Sequence, residues 1–371
     1  MDSKTLSMLA VGDIILGADA DPYFAFVAPV LRAGDVVLGH LEVPHTTRDQ
    51  HAVELGRVPS SLTPLISFGF DVVTLAGNHI SDAGIPGIED TTAWLREHQL
   101  AFTGAGMDID EARRPVVIER EGTRFGFLSY NCVGPKETWA TSERPGCAYV
   151  HVITHYELDH ATPGGPPDIY TWAERKSLGA MVDDIGKLRP LCDVLVVSFH
   201  KGLGHTPIKL ADYEHQVSYA AIDAGADLIV GHHAHILKGI ELYKGKAIFH
   251  GMCNFVTFLP SMAFKTGQNP VAWARRRREL FGFEPDPEYP TYPFHPEAKY
   301  TIIAKCYIED GSVSQTTYIP CLVNKQGQPV VLESDERGQE VLDYMEKITR
   351  GAGLNARYEW KGDEVFVHAA Y

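Results

Sequence analysis

The 371-residue chain carries 48 acidic side chains against 33 Lys and Arg, a formal charge of -15. A field of that sign repels phosphate backbones at long range, so nucleic-acid partners are not expected. Residues 1–11 turn polar too soon for a signal peptide or anchor, and no later apolar stretch approaches membrane-spanning length. The six cysteines (132, 147, 192, 253, 306 and 321) form no Cys-x-x-Cys pair, so a reduced, cytoplasmic setting without membrane partners is expected.

Residues 8–12, 35–39, 71–76, 124–130, 192–199 and 226–231 are short β-branched or apolar runs that predict strands. Between them, 83–98 (Ile85, Ile88, Trp94, Leu95) and 172–188 (Trp172, Leu178, Met181, Val182, Ile185) have helical periodicity. Strands alternating with crossover helices predict an α/β fold whose chemistry sits at the C-terminal strand ends. Beyond Lys238 the pattern becomes one of hairpins, at 239–243 with 246–249 and at 300–307 with 315–322, the latter joined by Glu309-Asp310-Gly311. The stretches 135–170 and 258–298 read as long ordered loops, either substrate walls or padding over the sheet. A helix over 335–349, with Val341, Leu342, Met345 and Ile348 as its apolar stripe, opens a C-terminal helix and strand extension of 335–371 after a catalytic domain of 1–334.

Several predicted strands end in ligand-type residues. The run 226–230 delivers Gly231-His232-His233-Ala234-His235, three imidazoles in four positions. In extended backbone His233 and His235 project the same way and form a metal chelate, with His232 opposite and packed or supporting. His200 ends a second strand, Asn78 and His79 follow a third, Asp13 leaves the first behind Gly12, and Glu42 leaves another. Asp82 either orients His79 or caps the next helix. His40, His45 and His250 read as structural, with His40 nearest the proposed centre, and His205 faces either substrate or solvent. Asp13, Glu42, Asn78, His200, His233 and His235 thus form a mixed oxygen and nitrogen donor set suited to one or two divalent ions, Mn, Zn or Fe. His79 is left over and offers either a further nitrogen ligand or a transferable proton.

These segments, with Gly39-His40-Leu41-Glu42, Gly77-Asn78-His79 and His250-Gly251-Met252-Cys253-Asn254-Phe255, resemble the CapA-type branch of the calcineurin-like metallophosphatase superfamily (poly-gamma-glutamate capsule synthesis protein-like) over about residues 8–256. The resemblance implies four layers, two mixed β-sheets face to face with helices outside and a metal cleft at one edge. It implies that Asp13 and His235 bind the first metal, that Asn78, His200 and His233 bind the second, and that Glu42 takes the bridging place. His79 would protonate the leaving group. The first motif of such enzymes is Asp-x-His, but Ile15 stands in the third position, so one nitrogen ligand is missing and a weaker first site is expected. Gly204 likewise replaces a glutamate common in the fourth segment.

The expected function is hydrolysis of a small phosphoester or an amide or peptide-like substrate by metal-activated water. One alternative is a metal-assisted lyase or iron-dependent oxidoreductase acting on a small organic substrate. Another is a non-catalytic polymer-assembly or binding protein, against which the dense ligand set speaks.

Overall fold

The computed structural model describes residues 5–157, 165–259 and 270–370. Its larger sheet has ten strands. The strand Leu6–Ile15 lies at its middle, flanked on one side by Val36–Leu41, Val72–Thr74 and Ala101–Thr103, all parallel. On the other side run the antiparallel hairpin Tyr300–Glu309 with Ser312–Val323 and, at the edge, Glu364–Ala369 and Ala356–Lys361. The smaller sheet runs Ile240–Tyr243, Lys246–Phe249, Leu228–His232, Val194–His200, Thr123–Asn131 and Val116–Arg120, its central four strands parallel.

Period-two alternation assigns each face. Leu6, Met8, Ala10, Val36 and Leu38 of the larger sheet share one core with Phe125, Phe127, Val194, Val196, Leu228 and Val230 of the smaller, so the sheets pack face to face. The intervening residues Leu9, Val11, Val37 and Val73 pack outward on Leu31, Leu65, Ile88 and Leu95 of covering helices. Leu195, Val197 and Ile229 of the smaller sheet pack outward on Met181, Ile185, Val217 and Ala221. Helix, sheet, sheet, helix are the four layers that the resemblance implies.

Every predicted strand exists, and so do both hairpins, but some edges move. The second predicted helix spans Arg175–Leu188 rather than starting at 172, because the Glu174 carboxylate accepts the N–H groups of Lys176 and Ser177 and caps it there. Trp172 belongs to the preceding strand Asp168–Ala173 and is 41% exposed. Ile85 of Gly84–Glu97 also faces solvent. The stretch 135–170 is not plain loop: Val152–Glu157 and Asp168–Ala173 form an antiparallel hairpin, tied to the helix Asp212–Ala224 where Gln216 accepts the Ala173 N–H. Likewise 258–298 holds the helix Pro270–Phe281. The C-terminal helix Glu336–Gly351 buries the expected stripe, and the two strands after it extend the larger sheet.

One irregularity decides where Asp13 points. In the first strand Met8 and Ala10 face the inter-sheet core, yet so does Ile15, while Ile14 and Leu16 face the helices. The phase slips by one residue, and the pairing register shifts between Ala10 and Asp13. Such a slip turns a side chain to the opposite face. Gly12 permits it by close approach, since a Cβ there would lie 2.1 Å from the carbonyl oxygen of Cys253. Gly12→Ala is therefore expected to cost about 1–3 kcal/mol, the usual range for overpacking. A lowered urea midpoint at unchanged slope would show it, and an unchanged midpoint would refute it.

Candidate functional site

Parallel pairing gathers the strand ends of both sheets at one edge. In the larger sheet Asp13 stands opposite His40 on one side and Asn254, of the strand Asn254–Thr257, on the other. In the smaller sheet His200 stands opposite His232. Past Thr74 the chain turns, with the Ile80 and Asp82 N–H groups donating to the carbonyls of Gly77 and His79. Asn78 and His79 can thus both point toward the other candidate site residues, as extended backbone would not allow.

Asp13 is the hub. His232 Nδ1 lies 2.9 Å from its Oδ1, and the His233 N–H donates to Oδ2 at 3.2 Å. His235 Nδ1 is 3.5 Å from the same Oδ2, while His235 Nε2 is 3.3 Å from Glu42 Oε1. His200 Nε2 and Asn78 Oδ1 are 2.7 Å apart. The His233 ring is centred 4.9 Å from that of His200 and 6.1 Å from that of His235. The six expected ligands thus converge at one edge of the two sheets. His79 stands at its rim with Nδ1 2.8 Å from Asp82 Oδ2. Asp82 makes no cap bond to Gly84–Glu97, whose N-cap residue is Ala83.

Extended backbone does not describe the 231–235 segment. His233 and His235 both have positive φ, 83° and 50°, and the strand ends at His232. The turn brings all three rings to the centre, so His232 grips Asp13 instead of pointing away.

Burial dominates the electrostatics. It raises Asp13 above its ordinary value, and with the Asp13 charge beside it Glu42 is pushed up to about 8. Burial holds His40, His232 and His233 down at about 3, so these rings are neutral and carry lone pairs. It also lowers His79, but the Asp82 hydrogen bond and the Glu42 charge outweigh it and hold that ring up at about 9.

The donor set fits divalent cations on evidence of its own. Neither Glu42 oxygen receives a hydrogen bond, and buried His40 Nε2, His200 Nδ1 and His233 Nδ1 are also unsatisfied. Orphaned buried acceptors of both kinds are costly unless a cation meets them. Asp13, His40 and His200 offer ligand atoms all within 4.8 Å of one another, and so do Asp13, Glu42 and His235. A third such group, His215, Glu241 and His250, is different. There His215 Nδ1 and His250 Nε2 both bond Glu241 Oε2, at 3.1 and 2.9 Å, and Lys201 Nζ reaches His250 Nδ1 at 3.1 Å. That network is closed by its own hydrogen bonds.

Two further residues lie at this centre without having been singled out for it. Asn254 Oδ1 lies 2.8 Å from His235 Nδ1, which leaves Nε2 facing Glu42. Asn254 Nδ2 in turn donates to Tyr292 Oη, and Tyr292 donates to the Ala298 carbonyl. The second residue is His40, fully buried, whose Nδ1 is 3.0 Å from Thr74 Oγ1. His205 does not face open solvent: it packs on Phe281, Phe283 and Phe294, with its ring 5.8 Å from that of His235. His45, also buried, turns Nδ1 to the Val43 carbonyl.

Comparison with known proteins places this edge in context. Residues 7–258 match the family described as bacterial capsule synthesis protein PGA_cap. The PGA biosynthesis protein CapA of Bacillus subtilis is 29% identical over 266 residues, covering 68% of this chain and 63% of that protein. The capsule biosynthesis protein CapA of Bacillus anthracis is 28% identical over 271 residues, covering 69% and 60%. A probable polyglutamine synthesis accessory protein of Mycobacterium tuberculosis is 30% identical over 227 residues, covering 59% and 54%. The chain thus spans less than two thirds of the length of these relatives. Among solved structures, a novel phosphatase of Mycoplasma pneumoniae overlaps with a TM-score of 0.47 at 12% identity, covering 91% of this chain and 97% of that one. The calcineurin-like phosphoesterase YfkN of Bacillus subtilis gives 0.43 at 13%, covering 94% and 99%. With its strand-end motifs gathered at one sheet edge and about two thirds of its length matched, the chain belongs to the bacterial capsule synthesis protein PGA_cap family.

Proposed function

We propose that the chain is a metal-dependent hydrolase acting on a small phosphoester or an amide or peptide-like bond. The observation that carries this reading is the pair of fully buried carboxylates, Asp13 and Glu42, set among neutral imidazoles with unsatisfied nitrogens. Asp13, Glu42, Asn78, His200, His233 and His235 would hold one or two divalent ions, Mn, Zn or Fe. Such ions activate water and offset the charge that develops on the group being cleaved.

The chain's own contribution beyond ligation is at His79. Its Nδ1 is engaged by Asp82, and no hydrogen bond reaches its Nε2 among the described residues. The ring is therefore oriented, with one nitrogen left to deliver a proton to the leaving group. Asp82 holds it in that pose. The names of the relatives associate them with capsule, PGA and polyglutamine synthesis, which favours an amide-bonded polymer or a fragment of one among the candidate substrates. The same names support a second reading, a polymer-assembly accessory that binds without cleaving.

Three variants separate these readings. His200→Ala and His233→Ala should each lower bound metal by about 10-fold or more in affinity. Elemental analysis showing wild-type metal in both would remove them from the ligand set. His79→Asn should retain its metal while turnover of an alkyl phosphate or a γ-glutamyl alkylamide, whose poor leaving groups need the proton, falls about 100- to 10,000-fold, the usual scale for losing an acid–base group. Single-turnover kinetics paired with metal analysis checks this. Metal lost in step with activity would make His79 a ligand, and a metal-loaded wild type inert toward a broad phosphoester and γ-glutamyl panel would favour the binding protein.

A further inference from the structure

Ile15, at the place where an Asp-x-His motif carries its histidine, is apolar, buried in the inter-sheet core and unable to bind a cation. A nitrogen stands nearby on the neighbouring strand. His40 is paired with Asp13 across the parallel ladder, and its own neighbour on the far side is Thr74. Thr74 Oγ1 holds Nδ1 at 3.0 Å, which fixes the ring and leaves Nε2 buried with no hydrogen-bond partner. The ring stacks at 4.5 Å on that of His232 and lies 4.9 Å from that of His200. Its ligand atom falls within 4.8 Å of those of Asp13 and His200.

Burial alone does not single out His40. His45 is equally buried, has an equally orphaned Nε2 and turns its Nδ1 to a backbone carbonyl. Yet His45 belongs to none of the ligand groups found among the described residues. What distinguishes His40 is convergence: an outer oxygen setting the ring, and an inner lone pair facing a carboxylate and a second imidazole. That is the usual arrangement of a ligating histidine and the group that orients it.

We infer that His40 is itself a metal ligand and that Asp13 is the carboxylate shared between two ion positions. Asp13, His40 and His200 make one position; Asp13, Glu42 and His235 make the other. The partition differs from the one the resemblance implies, in which Glu42 bridges and Asp13 serves the first ion alone. It rests on the reading that this cleft holds metal, but not on any particular reaction.

The test uses metal alone. Purified protein is stripped, refolding of each variant is checked by its melting curve, and Co(II) or Mn(II) uptake is followed by titration calorimetry, elemental analysis and, for Co(II), the visible spectrum. Wild type should take up two ions. His40→Gln should weaken one binding step by about 10- to 100-fold and leave the other, with a changed Co(II) spectrum. Glu42→Gln should weaken only the other step, and Asp13→Asn both. Thr74→Val, which removes the orienting hydroxyl together with its contacts to Ser198 Oγ and the Gly39 carbonyl, should weaken the same step as His40→Gln and keeps the test alive if that variant fails to fold. His45→Gln should leave both steps alone. Two ions bound at wild-type affinity with an unchanged spectrum, in folded His40→Gln or in Thr74→Val, would overturn the inference and leave the hydrolase reading intact. A wild type that binds no ion would overturn both.

Discussion

Keeping the Asp13 carboxylate out of water is the constraint around which the rest of this molecule is arranged. An ion in a dry interior costs several kcal/mol even after relaxation, and removing a second carboxylate, Glu42, to the same place compounds the cost. The imidazoles beside them are held neutral by their own burial and bring dipoles rather than charge. The raised His79 ring and, after it, Arg57 lend Glu42 some relief, too little to prevent its being pushed up to about 8. A site of this kind is frustrated by itself and relieved by a multivalent cation, so the folded protein and the loaded protein are coupled states.

The fold supplies the rigidity that such a site requires. Two sheets share one core, and the candidate ligands leave the C-terminal ends of parallel strands in both, so no single loop sets the geometry. The phase slip near Gly12 turns Asp13 inward, and the close approach to Cys253 is possible only without a side chain at 12. A second close approach, at Gly231, puts the chain against the His250 carbonyl just before the histidine cluster, where a Cβ would lie 2.3 Å away. Both glycines act on the backbone that carries the candidate ligands.

Much of this architecture is legible in the residues. Apolar runs ending in His, Asn or carboxylates mark the strands and the edge at which they meet, because a period of two and a strand end are local properties. What stays hidden depends on pairing and on local backbone twist. His40 reads as structural because nothing in its own strand shows that Asp13 lies opposite it. His232 reads as pointing away only if the backbone is extended, whereas His233 and His235 adopt positive φ. Asn254 lies in a recognisable motif, but its service to His235 emerges only once its strand pairs beside Asp13. The hairpin within 135–170 escapes a reading by pattern for a related reason: its strands are largely exposed and lack the one-sided apolar alternation by which strands are found.

The hydrogen-bond chain from the Ala298 carbonyl through Tyr292 and Asn254 to His235 has a consequence for how family members can diverge. It wires a peripheral stretch into the tautomer of a central ring. That stretch cannot be exchanged like a cassette between relatives, because a replacement lacking the tyrosine frees the asparagine amide to flip and offer its NH2 where His235 needs an acceptor. Any lineage that remodels this wall must therefore also rewrite position 254 or the residue that anchors it, and paired change at 254 and 292 is the trace such remodelling would leave.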